Sequence, residues 1–159
     1  ALHGSDLDAP EAIGRTAGER AVRRLNPRKV KTQTVPVIFD ARLSSTLISH
    51  LASAANGVSI ARKASFLKDK LGERLFAPGI RIVDDPLRKR GLRSHPFDGE
   101  GVSVKRMNLI EDGVLQSWFL DSATARELGL TTTGHASREV SPPPSPSPPN
   151  LYPAPGPLS

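Results

Sequence analysis

The chain has 159 residues, carries 22 Lys and Arg against 16 Asp and Glu, and contains no cysteine. This length predicts one domain with a single hydrophobic core. The lack of cysteine excludes a disulfide framework and a thiolate metal site, and no apolar run approaches the roughly 20 residues of a membrane span. We therefore expect a protein of the reducing cytoplasm.

The formal charge of +6 and the pI near 10.2 raise the question of a nucleic-acid partner. The basic residues fall into two clusters, around positions 20–31 and 88–93. The first cluster surrounds a predicted helix end, where cations interact favourably with the helix dipole. Aromatic residues make up only 4% of the chain, and no helix-turn-helix pattern occurs. A basic nucleic-acid-binding module is therefore the weakest of three function classes that stay open.

Helical and strand signals alternate in the first half of the chain. Apolar residues recur at helical spacing after Asp8, a candidate N-cap, and this pattern stops at Asn26-Pro27. A second helical pattern ends at Asn56-Gly57, a pair typical of helix C-caps. The predicted elements are a helix over 10–25, a strand over 35–40, a helix over 42–55, a shorter helix over 63–75 and a strand over 80–83.

The second half of the chain carries a β-hairpin signal. Asp112-Gly113 stands between two apolar segments, which predicts a tight hairpin over 107–120. Both faces of its second strand carry large apolar side chains, so we expect a sheet that is covered on both sides or docked to a partner. The sequence also predicts a short helix over 123–128, capped by Asp121 or Ser122 and ended by Gly129.

An acidic glycine loop, the hairpin, the short helix and a second glycine turn follow one another between positions 96 and 138. They read Pro96-Phe97-Asp98-Gly99-Glu100-Gly101, then 107–115, then Asp121-Ser122-Ala123-Thr124-Ala125-Arg126, then Thr132-Thr133-Gly134-His135-Ala136. This order resembles the C-terminal domain of the TldD/PmbA family of zinc-peptidase-related proteins, over about residues 6–156, and within it the PmbA branch, also called TldE. The resemblance implies an α+β domain with an antiparallel, barrel-like or strongly curved sheet and packed helices.

The resemblance also implies a division of the chain into three parts. Residues 1–34 are a helix and basic linker that follow a missing N-terminal domain, and residues 35–140 are the α+β core of the C-terminal domain. Residues 141–159 hold nine of the 15 prolines, which favour extended backbone. This segment is either a disordered linker or, as the resemblance implies, a lead into more sheet and a missing C-terminal remainder.

In TldD-type members a helix carries a His-Glu-x-x-x-His motif that binds zinc and activates water. The resemblance places this motif over Ile48, Ser49 and Ser53, which supply neither a zinc ligand nor a carboxylate base. The family's later cysteine ligand has no counterpart here either. We therefore predict no zinc and no catalytic residue in this chain, and we expect the zinc in a TldD-like partner.

Other candidates for chemistry are weak. His50 lies at the margin of the apolar stripe of its helix, without a second ligand within one turn, and is interpreted as structural. The sequence contains no Gly-x-Ser-x-Gly elbow for a nucleophilic serine. Asp84-Asp85 precedes Pro86, which indicates turn chemistry rather than acid–base chemistry.

Two glycine turns are the candidate peptide-binding site. Their residues are either pure turns or, as the resemblance implies, the border of a peptide cleft in which backbone must approach backbone. The candidates are Asp98, Gly99, Glu100, Gly101, Thr133, Gly134 and His135.

Two function hypotheses lead. The resemblance implies a non-catalytic partner subunit of a TldD/TldE-type metalloprotease that processes unfolded peptides, such as leader peptides or antitoxin-type substrates. The alternative is a metal-dependent peptidase with ligands outside this chain, or with a site assembled from His50, His95 and His135. An unfinished sheet would expose an edge, which also allows a homodimer. The family is named as a modulator of DNA gyrase, but no residue here indicates a gyrase contact.

Overall fold

The computed structural model describes residues 4–156, apart from the side chain of Ala41. The chain forms two compact units, Ala1–Phe39 and Asp40–Ser159. The second unit combines helices with an antiparallel sheet, so the predicted α+β class is confirmed. The sheet is open, with different strands at its two edges, and does not close into a barrel.

The first unit contains a 3₁₀ turn, Gly4–Asp6, and helix α1, Pro10–Arg23. The predicted helix over 10–25 is confirmed to within two residues. Its predicted cap is wrong, because Ala9 occupies the N-cap position and no side chain accepts a hydrogen bond there. Pro10 begins the helix without a lost hydrogen bond, since the first N–H groups of a helix have no partner inside it.

The predicted strand over 35–40 is wrong. These residues form no strand, and the side chain of Ile38 is 96% exposed. A short apolar run extends easily, but it becomes a strand only when a neighbouring strand satisfies its backbone groups. None of the strands between residues 4 and 156 pairs with this segment.

Helix α2 spans Ala41–Ala54, which confirms the predicted helix over 42–55 to within one residue. Its N-cap is Asp40, whose carboxylate accepts a hydrogen bond from Arg42 N at 3.0 Å. The predicted C-cap at Asn56-Gly57 is wrong. Asn56 instead caps the start of a further helix, α3 (Gly57–Ala61), by accepting a hydrogen bond from Val58 N at 2.9 Å.

The predicted helix over 63–75 is also wrong, since this segment is a series of turns. Lys63 and Gly72 both adopt positive φ, at 57° and 80°. The backbone N–H of Gly72 donates to Leu115 O at 2.8 Å, and that of Leu67 donates to Ser65 Oγ at 3.1 Å. These contacts to a distant strand and to a side chain replace the hydrogen bonds that a helix would make.

The strands are β1 (Ile82–Asp84), β2 (Met107–Glu111), β3 (Val114–Leu115), β4 (Ala136–Ser137), β5 (Ser145–Pro146) and β6 (Leu151–Pro153). The main sheet has four antiparallel strands in the order β3-β2-β1-β6, and a second sheet pairs β4 with β5. The predicted strand over 80–83 is confirmed in part, shifted toward the C-terminus.

The predicted hairpin is confirmed over 107–115 and is wrong over 117–120, where the chain leaves the sheet after a last hydrogen bond from Gln116 N to Leu109 O at 2.9 Å. Phe119 N donates to Ala55 O at 3.0 Å, and Gly57 N donates to Phe119 O at 2.8 Å. A Cβ on Gly57 would lie 2.7 Å from Phe119 O. The second arm of the hairpin is therefore diverted to the junction between α2 and α3.

Helix α4, Ser122–Glu127, confirms the predicted helix over 123–128. Asp121 caps it through a reciprocal capping box with Thr124, and Gly129 follows it at φ 68°. The main core lies between the helices and the sheet. Its buried members are Ala55, Ile60, Leu67, Ile82, Leu109, Ile110, Leu115, Trp118, Phe119, Leu120 and Ala125.

The proline-rich segment supplies two of the six strands. β5 pairs with β4, and β6 pairs with β1 at the edge of the main sheet. Prolines are tolerated here because an edge strand needs fewer backbone donors than a central strand. None of the helices between residues 4 and 156 has the length and apolar content needed to cross a bilayer.

The hairpin turn predicts a pH dependence of stability. Asp112 adopts φ 47°, and its carboxylate accepts hydrogen bonds from Gly79 N at 2.6 Å and Arg74 Nη2 at 3.2 Å. The Gly79 N–H, followed by Arg74, holds the pKa of Asp112 below its ordinary value of 3.8. A lowered pKa in the folded state stabilises the fold above the ordinary value, and that stabilisation disappears as the pH falls through the lowered pKa.

We therefore expect the stability difference between the wild type and Asp112→Asn to be largest above about pH 4.5 and to shrink toward pH 2. Asparagine keeps an acceptor and tolerates positive φ, so the variant removes mainly the charge. Thermal melts of both proteins between pH 2 and 7 measure this difference. A constant difference across that range would show that the charge of Asp112 contributes nothing.

Candidate functional site

A cleft of about 730 Å³ lies against helix α2. One wall is a face of this helix, and the opposite wall is the proline-rich segment with strands β5 and β6. The lining residues are Ser44, Ser45, Leu47, Ile48, Ser49, Ala52, Ser53, Asn56, Arg93, Pro146, Ser147, Pro148, Leu151, Tyr152 and Pro153. We call this space the α2 cleft.

Ile48, Ser49 and Ser53, the three positions over which the resemblance places the zinc motif, all line the α2 cleft. Ser49 Oγ donates to Ser45 O, and Ser53 Oγ donates to Ser49 O, both at 3.0 Å. These are ordinary hydrogen bonds of a helical serine to the preceding turn. An aliphatic side chain and two such hydroxyls do not fit zinc, which takes imidazole, thiolate or carboxylate ligands.

The outer edge of β6 borders the α2 cleft. On its other side β6 pairs with β1, and the residues at 150 and 154 also hydrogen bond to the β1 segment. Because hydrogen-bonding groups alternate along an antiparallel strand, the backbone groups of Leu151 and Pro153 point away from β1. The guanidinium of Arg88 lies 4.7 Å from the centre of the Tyr152 ring, and this cation–π contact stabilises the position of β6.

The structure brings the two predicted glycine turns together. Ala136 N donates to Asp98 Oδ2 at 3.1 Å, and Gly99 N donates to Ala136 O at 2.7 Å. A Cβ on Gly99 would lie 2.9 Å from Ala136 O. The close backbone approach at Gly99 is therefore to strand β4 of the same chain, and it joins the acidic loop to that strand.

The acidic loop is organised around Asp98. Its Oδ1 accepts hydrogen bonds from Glu100 N and Val102 N, both at 2.9 Å, and the residue is only 4% exposed. Gly101 adopts φ 78°, which favours glycine. The exposed Glu100 carboxylate accepts from Ser122 N at 2.9 Å, at the start of α4. The Asp98 carboxylate therefore stabilises the loop conformation and connects it to Ala136, and the Glu100 carboxylate connects the loop to the start of α4.

The second turn contains a buried polar chain of three side chains. His135 is 2% exposed, with Nε2 at 3.0 Å from Asp84 Oδ2 and Nδ1 at 2.8 Å from Thr133 Oγ1. The ring of Phe119 lies against the imidazole, at 4.9 Å between centroids. Gly134 adopts φ 71° between these partners.

The role of Asp84 was missed by the sequence interpretation, which assigned Asp84-Asp85 to a turn. Asp85 does accept a turn hydrogen bond, from Leu87 N at 3.1 Å. Asp84 instead is fully buried in β1, where its second oxygen accepts from Asn150 N at 3.1 Å. A carboxylate inside an apolar strand was the available signal, because buried carboxylates require partners.

A second, more polar cleft of about 460 Å³ adjoins the α2 cleft, and Arg93 and Ser147 line both. We call it the arginine cleft. Of the seven predicted site residues, Asp98 and Gly99 line it, whereas the other five line neither of these two clefts. Its lining residues are Arg93, Ser94, His95, Phe97, Asp98, Gly99, Ala136, Ser137, Arg138, Ser147 and Pro149.

The three histidines between residues 4 and 156 do not form a ligand set. His50 is exposed on α2, His95 has its Nδ1 at 2.7 Å from Arg93 O, and His135 is bound to Asp84 in the interior. Between residues 4 and 156 no group of three or more histidine, aspartate or glutamate side chains is arranged to hold a metal. The alternative of a metal site assembled from these three histidines is therefore wrong.

The α2 cleft is lined mainly by apolar groups, and its lining includes no histidine, cysteine, aspartate or glutamate. Residues 32–159 match the PmbA/TldA metallopeptidase C-terminal domain. The chain thus belongs to the TldD/PmbA family.

Three known proteins illustrate this relationship. The chain is 44% identical over 132 residues to the metalloprotease PmbA of Escherichia coli O157:H7, covering 83% of this chain and 29% of that protein. A Thermotoga maritima protein named as a modulator of a DNA gyrase superposes with a TM-score of 0.86 at 31% identity, covering 98% of this chain and 35% of that one. TldE of Thermococcus kodakarensis superposes with a TM-score of 0.62 at 27% identity, and the match covers 67% of this chain and 24% of that one. The chain thus spans between about a quarter and about a third of the length of each of these relatives.

Proposed function

We propose that this chain belongs to a non-catalytic PmbA/TldE-like subunit that pairs with a TldD-like, zinc-bearing subunit in the cytoplasm. One observation carries the proposal: the α2 cleft is open at the three positions of the zinc motif, but Ile48, Ser49 and Ser53 supply no zinc ligand. A cleft without a metal site suits binding of a polypeptide rather than its hydrolysis. Zinc held by the partner would activate water and polarise the peptide carbonyl.

The substrate that suits the α2 cleft is an extended, unfolded peptide. The outward N–H and C=O of Leu151 and the outward C=O of Pro153, which as a proline has no N–H, can hydrogen bond to the backbone of such a peptide without regard to its sequence. Leu47, Ile48 and Ala52 offer apolar contacts on the opposite wall. Unfolded chains, leader peptides and antitoxin-type segments share this extended backbone, which a folded protein does not expose.

A bulky side chain on the cleft face of α2 tests the proposal. We expect Ser49→Trp to weaken binding of a fluorescent unfolded peptide to the full-length protein, with its partner subunit, by about tenfold or more. Thr46→Trp is the matched control, because Thr46 is exposed on the same helix and does not line the α2 cleft. Fluorescence anisotropy measures both affinities.

Equal affinities for Ser49→Trp and wild type would show that peptides do not use the α2 cleft. Equal losses in both variants would point to an effect on the helix rather than on the cleft. Circular dichroism of the two variants separates these outcomes, because both substitutions place the same side chain on the surface of α2.

A further inference from the structure

Arg93 stands where the two clefts meet. It lines the apolar α2 cleft and the polar arginine cleft, together with Ser147. The backbone N–H of Arg93 donates to Asn150 Oδ1 at 3.4 Å, and Nη2 donates to Ser147 Oγ at 3.3 Å. Among residues 4–156, only one of its five side-chain N–H donors is used in this way, so the guanidinium is positioned but keeps donors for a ligand.

Positive charge in the arginine cleft exceeds negative charge. Arg93 and Arg138 both line it, and neither forms an ion pair with a carboxylate between residues 4 and 156. The acidic residue of the lining is Asp98, whose oxygens already accept hydrogen bonds from three backbone N–H groups. A cleft with two guanidinium groups and one occupied carboxylate attracts an anion.

His95 and Phe97 complete this wall. The Nδ1 atom of His95 lies 2.7 Å from Arg93 O, and because a carbonyl oxygen only accepts, Nδ1 is the donor and Nε2 of a neutral ring is an acceptor. Phe97 is 60% exposed although it lines the cleft. The wall therefore combines cationic donors with an apolar ring, a combination that suits the end of a polypeptide.

We propose that the arginine cleft binds a carboxylate of the peptide whose backbone lies in the α2 cleft, with Arg93 and Arg138 as its ligands. This inference rests on the proposed function and adds to it a fixed register. A carboxylate held at Arg93 determines which peptide residues lie over Ile48, Ser49 and Ser53. The carboxylate belongs either to the peptide C-terminus or to an acidic side chain, since both present the same two oxygens to a guanidinium.

Three fluorescent peptides of one unfolded sequence test the inference on the full-length protein. The first ends in a free carboxylate, the second in a C-terminal amide, and the third in an amide with one added aspartate near its end. We expect the amide to bind about tenfold more weakly than the free acid, as expected for the loss of charge-assisted hydrogen bonds. Recovery of affinity by the third peptide would assign the site to an acidic side chain as well.

The preference for the acid must depend on the two arginines. Arg93→Gln and Arg138→Gln are each expected to reduce the acid-to-amide affinity ratio to about twofold or less. Of the two variants, Arg138→Gln is less expected to change folding stability, because the guanidinium of Arg138 makes no hydrogen bond or ion pair with residues 4–156. Arg106→Gln is the matched control, since Arg106 is exposed and lines neither cleft.

The outcomes separate the inference from the function on which it rests. Tight and equal binding of acid and amide would overturn the carboxylate site and leave the peptide cleft intact. Failure of all three peptides to bind would overturn both. An acid preference that persists in Arg93→Gln and Arg138→Gln would also overturn the assignment, because the carboxylate would then be bound elsewhere.

Discussion

Gly113→Ala is expected to destabilise the protein by about 2–5 kcal/mol or to prevent its folding. Gly113 has φ 78°, which costs an alanine about 1–2 kcal/mol. A Cβ there would also lie 2.3 Å from Phe76 O and 2.7 Å from Ala77 O. These atoms belong to backbone and cannot rotate away, so an overpacking cost of about 1–3 kcal/mol or more is added.

Gly101 provides the matched control for this prediction. It has the same φ of 78°, but a Cβ at this position would meet no atom within 4 Å. Gly101→Ala should therefore cost only the conformational term of about 1–2 kcal/mol. Urea denaturation of both variants measures the two costs, and equal values would show that the contact with the 76–77 backbone is not a constraint.

His135→Ala is expected to cost about 1–3 kcal/mol or more, because it leaves a buried hydrogen-bonding group without one of its partners. The substitution leaves the Asp84 carboxylate in the interior with Asn150 N as its remaining hydrogen-bond partner. It also removes the contact of the imidazole with Phe119. The strand β6 follows Asn150 directly, so the loss should loosen this wall of the α2 cleft.

The control and the coupling test for His135 use two further variants. His50→Ala should change stability by less than about 0.5 kcal/mol, because His50 is an exposed residue of α2. The double variant Asp84→Ala/His135→Ala should cost clearly less than the sum of the single variants, since the two side chains contact each other. Strictly additive costs, or a His135→Ala cost no larger than that of His50→Ala, would contradict the role of this pair.

Local chemistry explains which elements were predictable. The Asp112-Gly113 turn, the Asp121 cap of α4 and the periodicity of α2 are specified by neighbouring residues, and all three are confirmed. The segments 35–40 and 63–75 were predicted wrongly because their structure depends on distant partners. The turns before Gly72, for example, are closed by a hydrogen bond to Leu115 O.

The candidate site was predictable in a similarly uneven way. The resemblance located Ile48, Ser49 and Ser53, and the structure places all three in one cleft. It could not show that the proline-rich segment forms the opposite wall, because that contact joins residues about 100 positions apart. Arg93 and Arg138 are likewise distant in sequence, and only the pairing of β4 with β5 and the packing of the acidic loop bring them to one cleft.

The most direct test of the account is the metal content and peptide turnover of the full-length protein, measured alone and after reconstitution with a TldD-like subunit. We expect the isolated protein to retain no stoichiometric zinc and to cleave no unfolded peptide. We expect zinc and turnover to appear together with the partner. Stoichiometric zinc in the isolated protein, accompanied by peptide cleavage that a chelator abolishes, would contradict the assignment as a non-catalytic subunit.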